Sequence, residues 1–143
     1  MFVLDTNVVS ELRKAKAGKA DANVTAWAAE MPAEQLFVSA ITILELELGV
    51  LLLERRDARQ GATMRAWFER SVMPAFAGRV LSVDTAVALA CAELHVPNPR
   101  GERDALIAAT ARVHAMTVVT RNVADYDRTG VRVLDPWAPP AGR

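Results

Sequence analysis

Residues 1–10 read Met1-Phe2-Val3-Leu4-Asp5-Thr6-Asn7-Val8-Val9-Ser10. Three apolar residues end on an acid, and good helix-capping side chains follow directly. The stretch predicts a short buried strand, Phe2 to Leu4, that hands over at once to a helix. In open α/β sheets ligands bind outside the carboxyl ends of the strands, so Asp5 points into the expected site. Asp, Thr and Asn also make good N-caps, and that plainer role for Asp5 stands beside the functional one.

The same alternation continues along the chain. Candidate strands are Phe2 to Leu4, Leu36 to Ser39, Arg79 to Leu81, Thr117 to Thr120 and Val131 to Leu134. Between them lie helical patterns near Asn7 to Lys16, Ala22 to Glu30, Ile41 to Asp57, Gly61 to Phe76, Asp84 to Leu94 and Arg103 to Ala115. Strands alternating with helices predict an α/β fold, a mostly parallel central sheet of four or five strands covered by helices. With no second hydrophobic core in view, one domain over residues 1–134 is expected, followed by a loose tail, 135–143, anchored by Trp137.

The chain has 143 residues, 52% of them hydrophobic, enough to bury roughly two-thirds of the surface of the unfolded form. That excludes intrinsic disorder. A single Cys91 can form no internal bridge, which suits a reducing compartment. The first strand begins at once without an export signal, and the longest apolar stretch, Ile41 to Leu53, carries Glu45 and Glu47 and is far short of a bilayer span. A cytoplasmic protein without membrane contact is expected. Seventeen Lys and Arg balance seventeen Asp and Glu, so any nucleic-acid binding must be local and cannot rest on overall charge. Fourteen of the basic residues are Arg, a planar fork suited to phosphate, although a GC-rich genome produces the same bias.

Two further carboxylates stand in unusual places. Glu45 shares a helical stripe with Ile41, Leu48 and Leu52, residues that want burial, whereas Glu47 and Glu54 fall on another face and are expected in solvent. A buried carboxylate must neutralise or find a cation. Asp104 heads a helix whose stripe, Asp104, Ile107, Ala108 and Ala111, is mostly small, which lets the helix carry the acid close to the sheet. An acid in a first turn also simply complements the helix dipole. The strand Thr117 to Thr120 runs into Arg121, Asn122, Val123, Ala124, Asp125, Tyr126 and Asp127, again at a carboxyl end, although Asn and Asp are ordinary turn residues. Acids brought from separate elements to one end of a sheet repel, and a hard divalent cation with oxygen ligands relieves them. Mg²⁺ or Mn²⁺ is favoured over Zn²⁺, because no Cys/His set stands out.

These residues together resemble a known family. Leu-Asp-Thr-Asn at 4–7, Ser-Ala-Ile-Thr-Ile-Leu-Glu-Leu at 39–46 with Gly49, Asp-Ala-Leu-Ile-Ala-Ala-Thr-Ala at 104–111 and Val-Thr-Arg-Asn at 119–122 resemble the PIN domain. Within it the chain is similar to toxins of the VapC type, including the FitB branch, as Phe76-Ala77-Gly78-Arg79-Val80-Leu81 and Pro136-Trp137 also suggest. The resemblance implies a three-layer α/β/α fold and a metal-dependent endoribonuclease held in check by a cognate VapB-like or FitA-like antitoxin. It places Asp5, Glu45 and Asp104 on three acidic positions, as ligands of Mg²⁺ or Mn²⁺. At the fourth position Asn122 stands where some relatives have Asp, and Asp125 is the candidate to take that role. Thr6, Asn7 and Ser39 look like supporting groups, and Thr120 or Arg121 like substrate contacts. Hydrolysis would leave a 5′-phosphate and a 3′-hydroxyl.

Metal-free cleavage through the RNA 2′-hydroxyl needs a positioned acid and base, and only His95 and His114 exist, with nothing linking them. Arg55, Arg56, Arg59, Arg65, Arg70, Arg100 and Arg103 are candidates to hold RNA. The apolar surplus of Val50, Leu51, Leu52, Leu53, Met64, Trp67, Phe68, Val72, Met73 and Phe76 suggests either a tight core or a groove for an antitoxin segment. The resemblance also implies a homodimer, with promoter DNA reached only through the antitoxin. Two rivals remain: an aspartate-nucleophile phosphohydrolase, which Asn7 disfavours by replacing a second Asp, and a catalytically weak binding module for antitoxin or RNA.

Overall fold

Strand β1, Phe2–Leu4, is the centre of the molecule, since Val3 and Leu4 are wholly buried although they point to opposite faces of the sheet. In the computed structural model, which describes residues 1–140, β1 pairs in parallel with β2, Leu36–Ser39, on one side and β4, Thr117–Val119, on the other. The edges are β3, Val80–Leu81, and β5, Val133–Leu134, giving the order β3-β2-β1-β4-β5 with every pairing parallel. Val3 and Val118 face one apolar cluster, Leu4 and Val119 the other, so each strand divides its residues between two helical layers. The result is the parallel sheet covered by helices that the alternating pattern predicts, in the three-layer α/β/α form that the family resemblance implies.

The first cluster lies under α6, Thr85–Leu94, and α7, Glu102–Val113. Ala105, Ala108, Ala109 and Ala111 of α7 are wholly buried, and their small side chains let this helix lie close on the sheet. The second cluster lies under α1, Thr6–Leu12, α2, Ala22–Glu30, and α3, Ala40–Arg56. Most helices open on a side chain that accepts from their first backbone amides: Asp5, Asp21, Ser39, Asp57 and Asp84.

Three differences from the sequence reading have physical causes. The helix expected over Gly61 to Phe76 is instead α4, Ala58–Trp67, a π-helical turn, Phe68–Val72, and a short α5, Met73–Ala75. Pro74 has no amide to bond the preceding turn, and the wider winding accommodates it. The first helix stops at Leu12 and tightens into a 3₁₀ turn, Arg13–Ala17.

The third difference concerns α3, which does not bury the stripe assigned to Glu45. Ile41, Thr42, Leu46 and Val50 face inward, whereas Leu48 and Leu52 are exposed, the latter by 59%. Leu44 and Leu51 are exposed with them, so the apolar surplus is divided between core and surface. Nor are Glu47 and Glu54 free in solvent. Arg65 of α4 donates Nη1 to Glu47 at 2.6 Å and forks onto Glu54 through Nε at 3.2 Å and Nη2 at 3.0 Å. That commits Arg65 to the α3–α4 hairpin and removes it as an RNA contact. The two helices meet at Gly61, where a Cβ would come within 2.4 Å of the Glu54 Cα.

Trp137 packs against the second cluster, its backbone amide donating to Asp135 Oδ1 and its carbonyl accepting from Asn23 Nδ2. Within the tail assigned to residues 135–143 it is Trp137 that these contacts hold, and residues 141–143 lie outside the described residues. Among the described residues no helix is long and apolar enough to cross a membrane.

Candidate active site

The parallel sheet brings Asp5, at the end of β1, beside Thr120, at the end of β4. Asp5 is only 6% exposed, and its carboxylate is held from three directions. Oδ1 accepts from the Thr6 amide at 2.7 Å, while Oδ2 accepts from the Thr120 hydroxyl at 2.8 Å and the Tyr126 hydroxyl at 3.0 Å. A carboxylate has about four acceptor positions, so about one remains for another partner. The hydroxyl of Thr120 is itself oriented, because Asn7 Nδ2 donates to it at 3.2 Å and the Asn122 amide at 3.0 Å. With two incoming donors, its own proton is left for Asp5. The Asn7 side-chain oxygen meanwhile accepts from the Arg121 amide at 3.3 Å, tying the start of α1 to the β4 loop.

Glu45 reaches the same place from α3. Its Oε1 accepts from the Thr6 hydroxyl at 2.7 Å, Thr6 also lying 3.2 Å from the Thr42 hydroxyl, and its Oε2 stands 3.8 Å from Arg103 Nη1. Asp104 comes from the first turn of α7. Asp5, Thr6, Asn7, Glu45, Asp104, Arg121 and Asn122 all line one cleft of about 480 Å³, together with Ser10, Glu11, Arg13, Lys14 and Trp137. Burial pushes the Asp104 carboxyl up to about 6, and the charges of Asp5, Asp125 and Glu45 add to the rise. Burial and the Asp5 charge likewise drive the Tyr126 phenol far above its ordinary range, so it remains a hydrogen-bond donor.

Three of the expected site residues lie outside the lining of the cleft: Thr120, expected as a substrate contact, is wholly buried and holds Asp5 instead, and two more lie elsewhere. Ser39 is wholly buried and accepts from the Ile41 amide at 3.0 Å as the N-cap of α3, outside the lining of the cleft. Asp125 sits on the 3₁₀ turn Val123–Tyr126, exposed and also outside the lining, but near enough to raise Asp104. Tyr126 and Thr42 join the hydrogen-bond network without having been singled out. The sequence signal for Tyr126 is a lone aromatic in a polar loop, and that for Thr42 is its place in the 39–46 stretch. The acids share the cleft but stand apart along its wall. Among the described residues, three donor atoms within 4.8 Å of one another occur at Cys91, His95 and Glu102, a set the sequence reading missed. There the His95 Nδ1 accepts the Arg100 amide at 3.2 Å, which leaves the proton on the Nε2 that faces Cys91 Sγ at 3.8 Å. That tautomer gives the ring no free lone pair toward the thiol, so the set is not arranged as a ligand cage.

The ligating groups of the cleft are all oxygen, and its acids stand close enough for their charges to act on Asp104, which fits a hard divalent cation. A consequence for pH follows from Asp104. Its folded value, about 6, exceeds the ordinary 3.8, so the folded protein holds extra protons between those values and loses stability as pH rises through them. Ligation requires the carboxylate, so Mn²⁺ affinity measured by calorimetry is expected to rise from about pH 5 to about pH 7.5, with proton release on binding near pH 6. Equal affinity at both values, with no proton released, would exclude Asp104 as a ligand.

Comparison with known proteins agrees with this fold. The PIN domain profile matches residues 2–131. The Toxin FitB of Neisseria gonorrhoeae is 36% identical over 142 residues, covering 96% of this chain and 99% of that protein. VapC ribonuclease Y4jK of Sinorhizobium fredii is 38% identical over 144 residues, covering 97% and 99%. The crystal structure of FitAcB from Neisseria gonorrhoeae superposes with a TM-score of 0.87 at 35% identity, covering 97% of this chain and all of that one. A matching profile over nearly the whole domain, full-length relatives and a shared topology have one meaning: this chain belongs to the PIN-domain family.

Proposed function

We propose that the protein is the toxin of a type II toxin–antitoxin pair, a Mg²⁺- or Mn²⁺-dependent endoribonuclease that cuts RNA to leave a 5′-phosphate and a 3′-hydroxyl. The observation that carries the reading is the single cleft that Asp5, Glu45 and Asp104 all line, with the Asp104 carboxyl pushed up by burial and by the charges of its neighbours. The names of the FitB and VapC relatives support the class of reaction. When bound, a divalent cation supplies a Lewis acid for the phosphoryl oxygens and makes water a better nucleophile.

The chain's own residues prepare that chemistry. Asp5 is locked by Thr6, Thr120 and Tyr126 with one acceptor position open to the cleft, so it arrives oriented and cannot rotate away. Thr6 turns Glu45 toward the same space, where it serves as ligand or aligns the attacking water. Asn122 offers a neutral amide in the lining, and Asp125 contributes negative charge from outside it. Three donors on Asp5 also argue against its acting as a covalent nucleophile, which would have to shed them to attack.

Partners follow by the same reasoning. The exposed Leu44, Leu48, Leu51 and Leu52 of α3 supply an apolar face for a second copy or for a VapB-like or FitA-like antitoxin. The antitoxin blocks the nuclease and brings it to promoter DNA, in the cytoplasm. The deciding experiment uses purified protein and single-stranded RNA. Cleavage is expected with Mn²⁺ or Mg²⁺, to stop with EDTA, and to give fragments degraded by a 5′-phosphate-dependent exonuclease. Undiminished cleavage in EDTA would overturn the proposal.

A further inference from the structure

Two guanidinium groups on the rim of the acidic cleft bond none of its carboxylates. Arg13 and Arg121 both line it and are both exposed. Among the described residues neither side chain makes an ion pair or a hydrogen bond, unlike the neighbouring Lys14, which pairs with Glu11 at 3.1 Å, and Arg103, which leans toward Glu45. A flexible cation beside a cluster of acids collapses onto them unless something else holds it. Here each is laid on an indole. Arg121 Cζ lies 5.2 Å from the ring centre of Trp137, and Arg13 Cζ lies 5.9 Å from that of Trp67. Both rings are themselves fixed, since Trp67 and Trp137 pack against the second apolar cluster. Glu11, the rim acid nearest to competing, is already engaged by the Asp21 amide and Lys14.

We propose that Arg13 and Arg121 form a braced pair of phosphate contacts that hold the RNA strand across the cleft, with Trp67 and Trp137 as positioning residues. The proposal rests on the nuclease reading and extends it to substrate binding. A guanidinium stacked on a ring keeps its in-plane N–H groups free, the geometry that bidentate phosphate recognition needs. The acids occupy the floor and repel the RNA backbone, so cations on the rim are required to offset that repulsion without quenching the floor. The segment carrying Trp137 thereby becomes part of the substrate site.

The test measures binding of a fluorescein-labelled single-stranded RNA 12-mer of mixed sequence by anisotropy over a range of salt, with Mn²⁺ binding followed by calorimetry on the same samples. Arg13→Ala and Arg121→Ala are each expected to weaken RNA binding about tenfold and to reduce the slope of log affinity against log salt by about 0.7, the share of one phosphate contact on a single strand. Mn²⁺ binding is expected to persist. Trp137→Leu should reproduce the Arg121→Ala change in slope, and Trp137→Phe, which keeps a ring, should restore it. A purely structural Trp137 would lower the melting temperature and leave the slope alone. Unchanged slopes in both arginine variants, in protein that still binds Mn²⁺ and cuts RNA, would overturn this inference alone. Loss of both metal binding and cleavage in the unmodified protein would instead overturn the nuclease reading.

Discussion

Asp5→Asn protein is expected to fold, to bind Mn²⁺ more than ~100-fold less tightly than the unmodified chain, and to lose RNA cleavage. The magnitude follows from comparison, since removing even a group that only supports a ligand costs ~10–100-fold. The amide is isosteric and its oxygen can still accept from the Thr6 amide, so the cap of α1 survives. On the other side an NH₂ would face the hydroxyls of Thr120 and Tyr126, and both must turn around. The same substitution removes the largest charge acting on Asp104, so its carboxyl should titrate closer to the ordinary range. Calorimetry and an RNA cleavage assay read the two losses. Metal-dependent cleavage that persists would refute the assignment of Asp5.

The second large effect is expected far from any charge. Ala108 of α7 is wholly buried against the sheet, and Ala108→Leu places extra carbon where the packing has no room. Overpacking of this kind costs typically ~1–3 kcal/mol, a large share of the ~5–15 kcal/mol that holds a domain together. Thermal unfolding should show a fall in Tm of roughly 2–12 °C for a chain of this size. Asp104 lies one turn earlier on the same helix, so weaker Mn²⁺ binding should accompany the loss. Val113→Leu, at the 38% exposed end of α7, serves as the control and should change stability by no more than about 0.5 kcal/mol. If both variants melt alike, the close approach of α7 is not what the small residues secure.

Much of the architecture was legible from local patterns. Phe2–Leu4, Leu36–Ser39 and Ala22–Glu30 have the bounds that apolar runs and capping residues imply. Asp5, Glu45 and Asp104 stood out because each is an acid in an apolar setting, and the structure does bring them to one cleft. What stayed hidden depends on distance across the fold. Tyr126 meets Asp5 over a separation of 121 residues, and no periodicity announces such a bond. The stripe of Glu45 misled because α3 carries more apolar residues than the core takes, and a helical wheel cannot say which of two greasy faces turns inward. Arg65 could be placed on Glu47 and Glu54 only once Gly61 had brought α4 against α3.

The order of the strands has a consequence for biosynthesis. Asp5 leaves the ribosome among the first residues, but the hydroxyls that orient it belong to Thr120 and Tyr126, and the strand beside β1 that carries Thr120 is the fourth to be made. A nascent or prematurely terminated polypeptide therefore has its principal acid but not the groups that aim it. The groups that aim Asp5 join it only when translation is nearly finished.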